Sequence, residues 1–387
     1  MTPLDEAIVE NDLLPKDQRL TNMELADKYN TSEATVRRHR AKLKRRGAPN
    51  EGNDAFFSDV PVDAIVQRGK TIRLPDGSYE KITWKPGAVE MAEAKRLSYE
   101  DLSPVFQEPL LPRVSSDIKD DTLVVCMADY QVGKVGQAGS TEDTVRLVRR
   151  AIKDIADDIL FRGPYKRIIL ADVGDSTEGF WNVASQAQTN DLSLTDQIRT
   201  VQRLYAEAVR TLAPLCSSLY YVAVPSNHCA VRTGPGKNFR ANAPDDDFGI
   251  MISHNIEDIL EGRPSYGHVR FFRPEKWEEA VTVDTADGTR IGFTHGHLAG
   301  SQSKVPTWFR DLAFGRRSGL YDARILVHGH WHNFGVRQVG DARWIISCPS
   351  ADRGSDWWTN ISGDSTKPAI LTFEAQGGNA SSWELYS

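Results

Sequence analysis

Five clusters of polar residues, each preceded by a short apolar run, stand out in the C-terminal two thirds of the sequence. They are residues 129–131, 174–178, 226–229, 295–297 and 328–332. The chain has nine histidines, and five of them fall within the 38 residues from His295 to His332. Carboxylate, amide and imidazole groups without a CxxC pair of thiolates are ligands that hard and borderline divalent metals prefer. The clusters therefore predict a metal site.

Spacing within two of the clusters supports this prediction. Asp129 and Gln131 are separated by one residue, and so are His330 and His332. In an extended chain, residues i and i+2 point to the same side, so each pair could face one metal ion. The clusters contain more ligands than one ion takes, which predicts two metal ions that share a carboxylate.

The elements that must position these residues follow from the apolar runs. The five runs before the clusters predict strands at 123–128, 167–172, 219–224, 290–294 and 324–327. Periodicity predicts helices over 141–161 and 193–215, and later apolar runs predict strands at 344–348, 369–373 and 383–386. This alternation predicts a layered α/β or α+β domain with a mixed sheet. In such sheets ligands bind beyond the carboxyl ends of strands, where all five clusters lie.

The order of the clusters resembles the calcineurin-like metallophosphoesterase superfamily. Its pattern is D-x-H, GD-x-x-(D/N), GNH-(D/E), a His-bearing segment and GH-x-H, in that order along the chain. The resemblance covers roughly residues 120–350 and extends to phage-encoded phosphoesterases and SbcD-like nucleases. It implies layered mixed β-sheets flanked by helices, and a dinuclear metal centre that hydrolyses phosphoesters.

The resemblance also implies a role for each motif residue. One metal ion would be held by Asp129, Gln131, Asp175 and His332, and the other by Asp175, Asn227, His295 and His330. His228 would protonate the leaving oxygen or stabilise the phosphoryl transition state. Two divalent ions about 3.5–4 Å apart would activate water and hold the phosphoryl oxygens. Mn²⁺ is the expected metal, with Fe, Zn or Mg as alternatives.

Three residues depart from the family pattern, and one of them, Ser226 in place of Gly, is expected to alter only the turn. Gln131 stands where His is usual, and its neutral amide favours Mn²⁺ over Zn²⁺; Gln also occurs here in the ADP-ribose/CDP-alcohol diphosphatase branch. A hydrogen bond beside the metal is the alternative role for Gln131. Cys229 replaces the acidic partner of His228, a role open to one of the carboxylates at 245–247. Six residues near the motifs are expected to orient ligands or contact substrate: Glu178, Cys229, His297, His328, Lys134 and Arg232.

Residues 1–48 resemble a helix-turn-helix unit. Thr21 and Glu24 form a capping-box pattern before a helix over 22–29, and Ser32 or Thr31 can cap a second helix over 33–46. The segment 36–46 contains seven Lys or Arg and no acidic residue, which predicts a phosphate-binding face. The expected DNA contacts are Thr35, Arg37, Arg38, Arg40, Lys42 and Lys44. A solvated protein-interaction helix is the alternative.

Residues 49–118 predict a linker with a small β-hairpin, 70–74 against 79–84, and a short helix near 88–97. Residues 119–387 are expected to form the metallophosphoesterase domain that the resemblance implies.

Composition limits the remaining possibilities. The chain has 387 residues with 47 Lys or Arg and 53 Asp or Glu, so its net charge of −6 excludes a uniformly basic coat. The four cysteines form no CxxC pair and predict buried, reduced thiols. The N-terminus has no apolar signal region and no run reaches the ~20 residues of a membrane helix, so a cytoplasmic protein of a bacterial or phage-infected cell is expected.

Together these features predict a metal-dependent phosphodiesterase that acts on DNA as a nuclease and is recruited by its helix-turn-helix unit. Two alternatives stay open. One is a hydrolase of nucleotides or small phosphoesters whose N-terminal unit serves assembly. The other is a DNA-binding regulator with an inactive phosphoesterase domain.

Overall fold

The computed structural model describes residues 3–15, 18–45, 68–73, 79–84, 118–137, 139–182, 186–232, 234, 243–315, 319–340, 342–352 and 367–387. The chain divides into two compact units, residues 1–94 and 95–387. The predicted boundaries near residues 48 and 118 lie in or beside stretches outside the described residues. The division into three parts therefore stays a prediction.

The described residues of the first unit form three helices and one hairpin. The helices are α1 (Pro3–Leu13), α2 (Asn22–Lys28) and α3 (Glu33–Arg45), and the antiparallel hairpin pairs β1 (Arg68–Arg73) with β2 (Tyr79–Trp84). The two predicted helices and the hairpin are confirmed, and α1 is additional. The predicted capping box is present, because Thr21 and Glu24 satisfy each other's backbone N–H groups at the start of α2. The helix expected near 88–97 lies outside the described residues.

The three helices share a small apolar core. Ile8 of α1 packs with Leu25 and Ala26 of α2 and Val36 of α3, and all four are buried. Met23, although apolar, is 65% exposed. A seven-residue helix buries only one face, and Leu25 and Ala26 occupy that face.

Two β-sheets form the centre of the second unit. The strands, in chain order, are β3 (Lys119–Met127), β4 (Tyr165–Asp172), β5 (Cys216–Ala223), β6 (Val269–Phe272), β7 (Ala280–Asp284), β8 (Arg290–Thr294), β9 (Ile325–His328), β10 (Gly335–Val339), β11 (Arg343–Ser347), β12 (Ile370–Gln376) and β13 (Asn379–Tyr386). One sheet has the order β13-β12-β3-β4-β5-β6 and the other β10-β11-β9-β8-β7. Strands β3 to β6 are mutually parallel, as are β8, β9 and β11.

Side-chain alternation along β3 shows how the layers stack. Leu123, Val125 and Met127 pack with the helices on one face of their sheet. Val124 and Cys126 face the other way and pack with residues of the second sheet, including Phe293. A strand covered on both faces reads as a continuous apolar run, which is the pattern that predicted this strand. The α/β class with layered mixed sheets flanked by helices is thus confirmed.

Four helices cover the outer faces of the sheets. They are α4 (Thr141–Arg162), α5 (Leu194–Leu212), α6 (Phe248–Leu260) and α7 (Val305–Gly315). The first three pack on the sheet that contains β3, and α7 packs on the other sheet. The sequence predicted α4 and α5 but not α6 or α7. The four cysteines are buried and form no disulfide, as expected. Among the described helices, none is long and apolar enough to span a bilayer.

Phe293 tests the contact between the two sheets. It is fully buried there, whereas Phe161, at the end of α4, is 90% exposed. We expect Phe293→Ala to lower the free energy of unfolding by about 3–5 kcal/mol, because it removes a large apolar side chain and leaves a cavity. The matched Phe161→Ala change should stay within about 0.5 kcal/mol. Urea unfolding measures both, and equal effects would contradict the sandwiched position of Phe293.

Candidate metal centre

The predicted ligands lie on loops with an unusual backbone conformation. Seven non-glycine residues of the described chain have positive φ, and five of them are predicted metal ligands. Their φ angles are 52° for Asp129, 44° for Gln131, 52° for Asp175, 72° for His330 and 56° for His332. Such a conformation costs about 1–3 kcal/mol per residue and is concentrated at functional sites. The expectation that the i, i+2 pairs lie on extended chain is wrong, because each pair sits on left-handed turns.

Hydrogen bonds between the loops hold these turns. The backbone N–H of Asp129 donates to the carbonyl of Gly174 at 3.0 Å, and that of Gln131 donates to the carbonyl of Asp175 at 2.9 Å. The Asp129 carboxylate in turn accepts the backbone N–H of His330 at 3.0 Å. Three strand-end loops are therefore tied to one another next to the site.

Close packing at this junction requires two glycines. A Cβ at Gly329 would lie 2.6 Å from an oxygen of the Asp129 carboxylate. A Cβ at Gly174, whose φ is +92°, would lie 2.7 Å from Nδ1 of His295. Each glycine lets a backbone approach a ligand side chain that a larger residue would displace.

Four predicted ligands converge around one nitrogen atom. Nε2 of His295 lies 3.0 Å from Oδ2 of Asp175, 3.0 Å from Oδ1 of Asn227 and 3.2 Å from Nδ1 of His330. Asp175 and His295 are buried. Asp175, His295 and His330 form the one group of three His, Cys, Asp or Glu residues, within the described chain, whose ligand atoms all lie within 4.8 Å of one another.

The protonation of His295 shows that this cluster needs positive charge. Nδ1 of His295 lies 2.9 Å from the carbonyl of Val173, which can only accept, so Nδ1 carries the proton. In a neutral ring Nε2 then presents a lone pair toward the carboxylate and amide oxygens. Burial disfavours a charged imidazole, but the Asp175 carboxylate outweighs burial and raises the pKa of His295 to about 9. A set of oxygen and imidazole acceptors that must gain a cation suits a divalent metal.

Asp129 and His332 lie beside this cluster as a second pair. Nε2 of His332 is 3.4 Å from Oδ1 of Asp129, which is fully buried. On the other side of the ring, Nδ1 of His332 is 4.0 Å from a carboxylate oxygen of Asp352. Asp352, after β11, belongs to none of the five clusters and was missed by the sequence analysis.

Gln131 makes the kind of contact expected for its alternative role, a hydrogen bond, and not one expected for a metal ligand. Its Oε1, the atom that would bind a metal, accepts a hydrogen bond from Nζ of Lys134 at 2.6 Å. Its Nε2 lies 3.5 Å from Nε2 of His228. Gln131 thus links a lysine to the predicted catalytic histidine.

His228 is held in place by two residues outside its own motif. Its Nδ1 lies 2.8 Å from the carbonyl of Glu178 and 3.3 Å from Oε2 of the same residue. Nε2 of Gln186 lies 2.9 Å from the same nitrogen, and Gln186 also donates to the Glu178 carbonyl. Burial opposes protonation, but Asp175 and Glu178 raise the pKa of His228 to about 9. Gln186 lies in no motif, so no sequence signal pointed to it.

This arrangement corrects the expected partner of His228. Asp247, one of the three carboxylates proposed for that role, caps α6 by accepting the N–H groups of Gly249 and Ile250. Its other oxygen accepts the N–H of Ser226 at 3.0 Å. Asp247 therefore fixes the loop that carries His228, whereas Glu178 is the carboxylate that faces the ring.

Cys229 contributes to the same loop. Its Sγ lies 3.4 Å from the backbone N and 3.3 Å from Oγ1 of Thr177. Burial raises the pKa of the Cys229 thiol to about 12, so it stays protonated.

The other expected contact residues lie around the rim. Nδ1 of buried His328 lies 2.9 Å from the carbonyl of Gly329, and burial lowers its pKa to about 4. His297 Nε2 is 3.8 Å from Glu279. Arg232 donates to the carbonyl of Asn227 at 2.8 Å, which places its guanidinium next to a predicted ligand.

The predicted DNA contacts have partners within the first unit. Arg40 donates to Asp12 at 2.8 Å and to Asn22, and Arg37 pairs with Glu33 at 2.7 Å. Ser32 caps the start of α3 by accepting the backbone N–H of Thr35 at 3.2 Å, and Arg38 is exposed. The side chains of residues 42 and 44 lie outside the described part of the chain. Nδ1 of His39 in the same helix lies 2.7 Å from Oδ1 of Asp5 in α1.

Comparisons with known proteins give the following findings. No protein-family model matches the sequence, and no curated protein matches it. One similar structure is that of a conserved uncharacterised protein, a predicted phosphoesterase, from Streptococcus pneumoniae; it is 11% identical, with a TM-score of 0.25, over 66% of this chain and 84% of that one. Another is Vps29 of Chaetomium thermophilum, 12% identical with a TM-score of 0.28, over 66% of this chain and 86% of that one. Function must therefore be argued from the site itself.

Metal binding tests the cluster around His295. We expect Mn²⁺ to raise the thermal midpoint, since ligand at 100 times its Kd stabilises the folded state by about 2.7 kcal/mol. Asp175→Asn keeps the shape of the side chain but removes its charge, and it should abolish the shift. Asp157→Asn on exposed α4 is the control and should keep it. Differential scanning fluorimetry measures all three, and a full shift in Asp175→Asn would rule the cluster out as the metal site.

Proposed function

We propose that this protein is a metal-dependent phosphoesterase that hydrolyses phosphodiester bonds. The observation that carries the proposal is the convergence of Asp175, Asn227, His295 and His330 beside a histidine that is not needed as a ligand. A divalent ion held by these residues would polarise a phosphoryl oxygen and lower the pKa of a water molecule. We expect Mn²⁺, because the donors are oxygen and imidazole atoms.

His228 is placed to handle the proton of the leaving group. Its backbone N–H donates to Oδ1 of Asp175 at 2.8 Å, so the residue is fixed directly to the ligand cluster. Because Glu178 holds Nδ1, the ring presents Nε2 to the cluster, 3.9 Å from Oδ2 of Asp175. A proton on Nε2 can then be given to the departing oxygen.

Arg232 supplies a positive charge beside the cluster. Its guanidinium is anchored to the carbonyl of Asn227 and to Oδ1 of Asn182. A planar guanidinium suits the oxygens of a phosphodiester. Anionic substrate would therefore meet a cation that is already oriented.

The geometry argues against a retired catalytic domain. Loss of the acidic residue after His228 would leave the ring poorly oriented, but Glu178 holds it from a neighbouring loop, and Gln186 donates to the Glu178 carbonyl. The loops that carry the predicted ligands also keep a strained left-handed backbone conformation. Such strain costs free energy of folding and is concentrated at functional sites.

Hydrolysis of bis-p-nitrophenyl phosphate tests the proposal. We expect activity that depends on Mn²⁺, and His228→Gln should lower kcat by about 10²–10⁴-fold while it keeps the metal-induced thermal shift. His254→Gln, on the exposed face of α6, is the matched control and should keep full activity. The proposal would be contradicted if the wild-type protein hydrolysed neither this ester nor nucleotides, RNA or DNA. Turnover on that panel separates a nuclease from a hydrolase of small phosphoesters.

DNA is the substrate that the first unit favours. Its third helix presents Arg37 and Arg38 at the surface, and both remain exposed although Arg37 also pairs with Glu33. We propose that this helix recruits the enzyme to DNA. Pairing of Arg40 with Asp12 and Asn22 instead supports the packing of the three helices.

Salt dependence of DNA binding checks this recruitment. Arg37→Ala with Arg38→Ala should weaken binding to duplex DNA, and the slope of log K against log salt should fall by about 0.9 for each phosphate that the double variant no longer neutralises. The hydrolysis of bis-p-nitrophenyl phosphate should not change. Arg146→Ala, an exposed arginine of α4, serves as control and should leave binding intact. Unchanged affinity in the double variant would remove support for recruitment by α3.

A further inference from the structure

Lys134 occupies a fixed position next to the predicted ligands. Its backbone N–H donates to the carbonyl of Gln131 at 2.9 Å, which closes a tight turn. Gly133, with φ of +110°, is held on both sides, since its N–H donates to Thr141 and its carbonyl accepts the N–H of Asp191. The turn therefore directs the lysine side chain back over Gln131.

The ammonium group of Lys134 lies between two oxygen atoms. It donates to Oε1 of Gln131 at 2.6 Å and forms an ion pair with the carboxylate of Asp352. The Lys134 side chain is 15% exposed and that of Asp352 is 3% exposed. Asp352 is anchored by Ser350, whose hydroxyl accepts its N–H at 3.0 Å and donates to the carbonyl of Asp129 at 2.7 Å. This buried pair is thus built into the site.

These contacts disagree with the ligand set predicted for one of the two metal ions. That set needs Oε1 of Gln131 together with Asp129, Asp175 and His332, yet the oxygen already binds the lysine ammonium. Within the described residues, the ligand atoms of Asp129, Asp175 and His332 do not meet the 4.8 Å spacing that the His295 cluster meets. The residues present do not suit a second tightly held divalent ion.

We infer that the Lys134 ammonium takes the place of this second ion, so that the chain holds one divalent metal per site. A lysine is a compact point charge on a flexible stem, so it can satisfy two oxygen acceptors as a cation would. The single ion would be held by Asp175, Asn227, His295 and His330. The inference rests on the proposed function only in taking that cluster as a metal site.

Removal of the lysine charge should create a binding position for a second metal ion. Lys134→Met keeps the apolar stem but leaves the buried Asp352 carboxylate without its cation and frees Oε1 of Gln131. A buried carboxylate that loses this cation favours another positive charge in its place, so the site should recruit a second ion. Lys134→Ala offers the same test with a smaller side chain, should the methionine variant fail to fold.

The experiment measures manganese bound per chain. Full-length protein is equilibrated with Mn²⁺, desalted and measured by inductively coupled plasma mass spectrometry, with electron paramagnetic resonance on the same samples. We expect one ion and an uncoupled Mn²⁺ spectrum for the wild type, and about two ions with an exchange-coupled spectrum for Lys134→Met. Lys166→Met, an exposed lysine that pairs with Asp120, is the matched control and should bind one ion.

Each other outcome has a distinct meaning. Two ions in the wild type overturn the inference and leave the proposed phosphoesterase intact. One ion in the wild type and in both Lys134 variants also overturns it, because the lysine then replaces nothing. No bound ion in the wild type overturns the metal site itself and the proposed function with it.

Discussion

The concentration of electron-donating atoms around Nε2 of His295 is the constraint on which the site depends. A carboxylate oxygen, an amide oxygen and a second imidazole nitrogen all approach that atom within 3.2 Å. Buried acceptors that face one another are unfavourable unless a proton or a metal ion lies among them. The fold must therefore hold these groups together by other contacts, and it does so from the carboxyl ends of strands in both sheets.

The rigidity of the strands makes this possible. The central strands β3, β4 and β9 are buried on both faces, between the helices and the opposite sheet. Their ends are consequently fixed, and the left-handed turns that follow them can be maintained at a local cost. Inter-loop hydrogen bonds, such as that from Asp129 to Gly174, distribute this cost over several loops. The packing of the core thus offsets the free-energy cost of the strained backbone at the site.

The sequence allowed the strand ends to be predicted because apolar runs and polar clusters alternate so regularly. Strand β8 has the predicted bounds, and Asp175, Asn227, His295 and His330 meet as the motif order implied. The strands β6, β7 and β10 were not predicted, since they are only four or five residues long and carry exposed polar side chains. Gln186 and Asp352 could not be found either, because their roles arise from tertiary contacts across 42 and 218 residues of chain.

Two of the three departures from the family pattern, at Cys229 and Gln131, are each matched by a side chain from elsewhere in the fold. Cys229 stands where the family pattern has an acidic residue next to the histidine. In this chain Glu178, in the loop after β4, brings a carboxylate to Nδ1 of His228. Gln131 has no charge and no imidazole, and the neighbouring lysine provides a cation that its oxygen can bind. In both cases the charge that the chemistry needs is kept although the residue that usually carries it has changed. In the proposed mechanism Glu178 would act on the proton donor and Lys134 on the number of metal ions, so the two substitutions would affect separate properties of one site.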